Sequence, residues 1–164
     1  MRVLVVEDGH EYTDTLERFA GDAAQWIRAG SGEQAAKCLR ETPYDAIFLD
    51  MRFDRVDDDD LVGDLAGATI RFGDRTRAAH YLQENQGVII LQWLRSQSVT
   101  TPVLLSYNFD EEPRRWSRLA DALGPVAYVP DSASPMGIVE AVRTLVSAGG
   151  AVGDAGHDTT SMDD

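Results

Sequence analysis

The sequence predicts an α/β domain built on a parallel sheet with helices on both faces. Three observations carry this. Val3–Val6, Ala46–Leu49 and Val103–Leu105 are runs of consecutive apolar residues, the pattern of strands buried on both faces. Segments with apolar residues at helical spacing lie between the strands. Strand and helix alternate five times, an order that suits right-handed crossovers within one doubly wound sheet.

The first strand, Val3–Val6, ends in Glu7-Asp8-Gly9, and Tyr12, Leu16 and Phe19 then recur at helical spacing. Gln25–Ala29 read as the second strand, and Ser31-Gly32-Glu33 opens a helix that Pro43 closes. Ala46–Leu49 form the third strand, ending at Asp50. The helix Gly87–Leu94 presents Ile89, Ile90, Trp93 and Leu94 on its apolar side. Pro102 precedes the fourth strand, Val103–Leu105, which ends at Ser106. Pro113–Leu123 is a helix with Trp116, Leu119 and Leu123 inward, and Val126–Val129 is the fifth strand. Pro135 sits in a first helical turn, with Ile138, Val139, Val142 and Leu145 facing the core.

Two stretches fall outside this alternation. Residues 52–86 form an overlong connection, since Gly87 lies 37 positions after Asp50 and most connections are far shorter. Its run Asp57–Asp60 suits a solvated loop and lacks the spacing of an EF-hand. Thr76–Glu84 suggest one or two extra helical turns capped by Asp74, and His80 there reads as a surface histidine. Residues 147–164 are small, polar and Gly-rich, the composition of a flexible tail, which leaves 1–146 as the folded domain.

Composition narrows the function. An apolar fraction of 43% supplies a core, so a disordered chain, a collagen-like repeat and a coiled coil are excluded. A net charge of −13 repels phosphate backbones and argues against nucleic acid as a partner. Cys38 is the only cysteine, so there is no intrachain disulfide and no cysteine-rich metal site. No apolar run approaches the ~20 residues of a membrane span, and the N-terminus lacks a leader pattern. A soluble cytoplasmic protein with no membrane association is expected.

Three acids stand at strand ends: Glu7 and Asp8 after the first strand, Asp50 after the third. In an open parallel sheet these strands are neighbours at the topological switch point, where ligands bind beyond the carboxyl ends. Two carboxylates ~4 Å apart repel by about 4 kcal/mol at an effective dielectric near 20. A hard divalent cation relieves that repulsion, and an all-oxygen ligand set suits Mg²⁺. The plain alternative is three ordinary solvated turn residues. A second pattern, Gly30-Ser31-Gly32-Glu33-Gln34-Ala35, fits the dinucleotide fingerprint. It follows the second strand where the fingerprint belongs on the first, so it reads better as a helix-opening turn.

VLVVED, DAIFLD, PVLLS and AYV, in that order, resemble the strands of response regulator receiver domains of two-component signalling. QGVIILQWLR resembles the DG-x-x-x-x-x-x-LR segment that opens their third helix. The resemblance covers residues 1–146 apart from the insert. It implies a flavodoxin-like (βα)5 sandwich with strand order 2-1-3-4-5. It also implies that Asp50 is the phosphoacceptor, that Glu7, Asp8, Asp50 and the Arg52 carbonyl hold Mg²⁺, and that Ser106 binds a phosphoryl oxygen. Tyr128 takes the place of the switch aromatic. The family's lysine past the fifth strand falls on Asp131, or on Val129 if the alignment slides to use Pro130. Neither supplies a cation, and Lys37, the only lysine, lies far away in sequence. Arg52, two residues past Asp50, is the replacement cation that the sequence offers.

The expected function is an atypical stand-alone receiver in phosphorelay signalling, acting through protein–protein binding, with a histidine kinase among its partners and a monomeric or weakly dimeric state. The alternatives are a pseudo-receiver that binds partners without phosphate, a metal-dependent phosphoester-processing enzyme with Asn108 near the crevice and the insert as a lid, and a metal-free interaction module. The insert is expected to flank the crevice and, as a loop, to be removable without unfolding the core.

Overall fold

The computed structural model describes residues 1–150. Five parallel strands form one sheet: β1 Arg2–Val6, β2 Gln25–Ala29, β3 Ala46–Asp50, β4 Val103–Ser106 and β5 Val126–Val129. Their spatial order is β2-β1-β3-β4-β5, the expected doubly wound arrangement. The helices are α1 Glu11–Ala20, α2 Gly32–Glu41, α3 Leu65–Phe72, α4 Arg75–Glu84, α5 Gln86–Ser96, α6 Pro113–Leu123 and α7 Pro135–Gly150. A 3₁₀ turn spans Asp58–Asp60.

Consecutive strand residues point to opposite faces, which is why unbroken apolar runs were required. Leu4, Val6, Ile47, Leu49, Val103 and Leu105 pack with residues of α2, α5 and α6. Val3, Val5, Phe48 and Leu104 pack with residues of α1 and α7 on the other face. Within α1, the helix expected from the spacing of Tyr12, Leu16 and Phe19, Leu16 and Ala20 face this second layer, whereas Phe19 is 62% exposed.

The far end of the sheet is tied by Arg95 of α5. Its guanidinium donates to the carbonyls of Val99, Thr101, Leu123 and Pro125, joining the segments that enter β4 and β5.

The insert departs furthest from expectation. It contains two helices rather than a turn or two, with Asp64 capping α3 and, as expected, Asp74 capping α4. Phe72 and Tyr81 pack on each other across the pair, and the Arg71 guanidinium lies over both rings. The insert is also part of the core: Phe53, Leu61 and Leu82 are buried in the α2–α5–α6 layer. Gln86, itself buried, grips the backbone of Val62 through both side-chain atoms, at 2.8 and 3.0 Å. Residues 147–150, expected in a flexible tail, continue α7; residues 151–164 lie outside the described residues.

Candidate functional site

The segments that follow β1, β3 and β5 border a cavity of about 490 Å³. Glu7, Asp8, Tyr12, Asp50, Arg52, Asp54, Arg55 and Asp131 line it. The sheet register explains the convergence. Val6 pairs with Leu49, so Glu7 and Asp50 leave adjacent strands at the same level, and Asp50 pairs with Ser106 on its other side. Gly87 lets α5 start directly behind this edge. A Cβ there would lie 2.5 Å from the Asp50 carbonyl oxygen and 2.9 Å from Met51 Cα.

The three acids play different parts. Glu7 is 1% exposed and caps α1: it accepts from the Thr13 N–H at 2.8 Å, the Thr13 hydroxyl at 2.7 Å and the Tyr12 N–H at 3.0 Å. Its carboxylate thus satisfies two of the orphan N–H donors at the helix start. Asp8 accepts the Arg55 N–H at 2.7 Å, which fastens the start of the insert to the crevice. Asp50 is the strained member. Burial pushes its carboxyl up to about 7; the charges of Asp8 and Glu7 add to this, and the Met51 and Arg52 N–H groups oppose it.

Both Arg52 and Arg55 line the cavity, and each guanidinium is paired with a glutamate. The Arg52 guanidinium is 60% exposed and has Glu84 at 3.8 Å. Arg55 holds Asp8 through its backbone, while its guanidinium pairs with Glu11 at the rim. No periodicity marks a loop residue such as Arg55, so the sequence alone does not single it out.

Tyr12 is the second residue that the sequence does not single out. Its hydroxyl lies 2.7 Å from Ser106 Oγ, although its place in an apolar helical pattern suggested a purely packing role. Asp131 lines the cavity just past β5 and puts an acid where a cation was sought. Tyr128 faces away from the crevice. Its hydroxyl donates to Asp110 at 2.7 Å, and its ring packs edge-on against Trp116 and Phe109.

The donor set suits Mg²⁺ in part. Among the described residues no group of three or more His, Cys, Asp or Glu side chains is arranged to hold a metal ion. The expected three-carboxylate cage is therefore not formed, because Glu7 is turned into the start of α1. Asp8 and Asp50 still repel each other in one cavity. Two carboxylates plus a main-chain carbonyl match a hard ion that keeps several waters.

No family profile matches the sequence, and no curated protein matches it. Solved structures do. The receiver domain of the Francisella response regulator 1452 is 17% identical, with 90% of this chain and 98% of that chain covered and a TM-score of 0.61. The signal receiver domain of a putative Luxo repressor protein from Vibrio parahaemolyticus is 12% identical, with 95% and 98% covered and a TM-score of 0.63. The fold is that of a receiver domain. A chain described as adenylate cyclase from Rhodopirellula baltica has it too, at 16% identity, 92% and 90% coverage and a TM-score of 0.63. Against the receiver pattern, this chain adds the two-helix insert after β3 and carries Asp131 past β5. No helix among the described residues is long and apolar enough to cross a membrane.

Proposed function

We propose that this receiver works in phosphorelay signalling, with Asp50 accepting a phosphoryl group and the altered domain surface binding a protein partner. The observation that carries the reading is the setting of Asp50. It stands between Glu7 and Ser106 at the sheet edge, in a cavity open to a donor, with a carboxyl made reluctant to ionise by burial and by its acidic neighbours.

Asp8, Asp50 and the Arg52 carbonyl would hold Mg²⁺, and Glu7 would orient its water. Bound there, the ion neutralises charge on the phosphoryl group and on the carboxylates. An Asp50 carboxylate oxygen attacks phosphorus as the donor's leaving group departs. The Ser106 hydroxyl then binds a phosphoryl oxygen, and Tyr128 leaves Asp110 to report the change. Arg52 is the cation best placed to turn in from Glu84, and a histidine kinase is a fitting donor.

Asp131 supports a second reading, a pseudo-receiver that binds its partner without phosphate. With the family's lysine replaced by an acid, the crevice lacks one positive charge that a phosphoryl group requires. An enzyme reading has less support. Asn108 closes a local turn by accepting the Asp110 N–H, and of the insert only Asp54 and Arg55 reach the cavity beyond Arg52.

The test is thermal unfolding with and without Mg²⁺ and beryllofluoride. The receiver reading expects Mg²⁺ to raise the melting temperature by linkage. Asp8→Asn should abolish that rise, and Asp50→Asn should abolish any further rise from the mimic. A melting curve that excess Mg²⁺ leaves unmoved would contradict it.

A further inference from the structure

We propose that Tyr12 is a latch on the crevice: it holds the Ser106 hydroxyl that an incoming phosphoryl oxygen must take, and so sets the affinity for tetrahedral anions. The inference rests on the reading of Asp50 given above. Tyr12 is fixed at both ends. Its N–H donates to Glu7, and its ring packs edge-on against Phe48 of β3, with centroids 4.9 Å apart and planes at 77°. That contact aims the phenol across the carboxyl end of the sheet, where its oxygen meets Ser106 Oγ at 2.7 Å.

The direction of this bond follows from burial. Ser106 is 2% exposed, and among the described residues its hydroxyl meets no other hydrogen-bond partner. A hydroxyl carries one proton, and a buried one left without an acceptor costs about 1–3 kcal/mol. Ser106 therefore donates to Tyr12. The phenol proton points to the second acceptor within reach, the Asp131 carbonyl oxygen at 3.5 Å. The latch thus runs from β4 through α1 to the loop after β5. The phenol stays protonated, since burial raises its pKa and the charges of Asp50, Asp131 and Glu7 raise it further.

An anion on Asp50 must win the Ser106 proton from Tyr12, because Asp50 and Ser106 are register partners. Opening the latch costs about one ordinary hydrogen bond, and that cost subtracts from anion affinity. It acts alongside the acid at position 131 to lower the affinity of the crevice for phosphate.

Tyr12→Phe removes the phenol oxygen and keeps the ring against Phe48. We expect it to bind beryllofluoride, in the presence of Mg²⁺, about three- to tenfold more tightly than the natural chain by calorimetric titration. Ser106→Ala should bind more weakly, and adding Tyr12→Phe to it should change nothing further. Without metal, the two single changes should lower the melting temperature by less together than the sum of their separate effects. Equal or weaker binding by Tyr12→Phe, or a gain that persists without Ser106, overturns the latch alone. If no variant binds the mimic better than Asp50→Asn does, the receiver reading itself fails and the latch with it.

Discussion

The two sides of the crevice are built differently. On the β1–β3 side, each acid has a defined setting: Glu7 caps α1, Asp8 is held by Arg55, and Asp50 lies against Gly87 at the start of α5. On the β4–β5 side, Ser106 is engaged by Tyr12, Tyr128 is engaged by Asp110, and Asp131 adds a negative charge. The first side holds the acids on which the proposed phosphoacceptor and metal roles rest. The second has its responding groups tied to one another. On the proposed reading, the difference separates two requirements: accepting a phosphoryl group and responding to it.

The largest expected effect concerns the bracing of the first side by the insert. Replacing residues 54–84 with a short Gly/Ser link removes Leu61 and Leu82 from the core and takes the Val62 backbone from the buried Gln86. Truncating one such leucine costs about 2–5 kcal/mol, out of a total stability near 5–15 kcal/mol. Loss of a cooperative melting transition is the outcome expected. A sharp transition close to that of the natural chain would show the insert to be a removable loop after all.

The next effect tests the strain on Asp50. A carboxyl raised from 3.8 to about 7 keeps its proton longer in the folded state than in the unfolded chain. Stability from this group is therefore full below pH 4 and is lost as the pH rises through about 7. The rise corresponds to ~4 kcal/mol, an upper limit given partial exposure. In metal-free buffer, Asp50→Asn should stabilise the protein by about 1–3 kcal/mol at pH 8 and by far less at pH 5, measured by urea unfolding. An equal effect at both values would place the strain elsewhere.

These outcomes bear on what the sequence made legible. The three central strands were readable because burial on both faces demands consecutive apolar residues, and the edge strands β2 and β5, only partly buried, also have the bounds expected from Gln25–Ala29 and Val126–Val129. The insert was harder. Its helices are short, and α4 buries Ala78, Ala79 and Leu82 between polar residues, a weak periodic signal. Phe19 helped to mark α1 as a helix, although Leu16 and Ala20 are the residues that complete its inward stripe. Tyr12 was visible only as an apolar position. Its nearness to Asp8 at the start of α1 was the available clue, since the first turn of that helix faces the sheet's carboxyl edge.

The smallest effect lies on the second side. Tyr128→Phe removes the bond to Asp110 and keeps the packing on Trp116 and Phe109. Only a small loss is expected, because the bond is made at an exposed site where water competes for both partners. A larger loss in denaturant unfolding would mean that Tyr128 is held more firmly than a switch residue should be.

Phosphorylation tests the central claim most directly: Asp50 is a phosphoacceptor whose second side is short of positive charge. Intact-mass measurement after treatment with acetyl phosphate and Mg²⁺ reads it. The natural chain should gain at most a small fraction of one phosphoryl group, and Asp131→Lys should gain substantially more. One unit charge at ~4 Å is worth about 4 kcal/mol at an effective dielectric near 20, an upper bound for a site open to water. Asp50→Asn should gain nothing in either background. Full phosphorylation of the natural chain, unaltered by Asp131→Lys, would contradict the account.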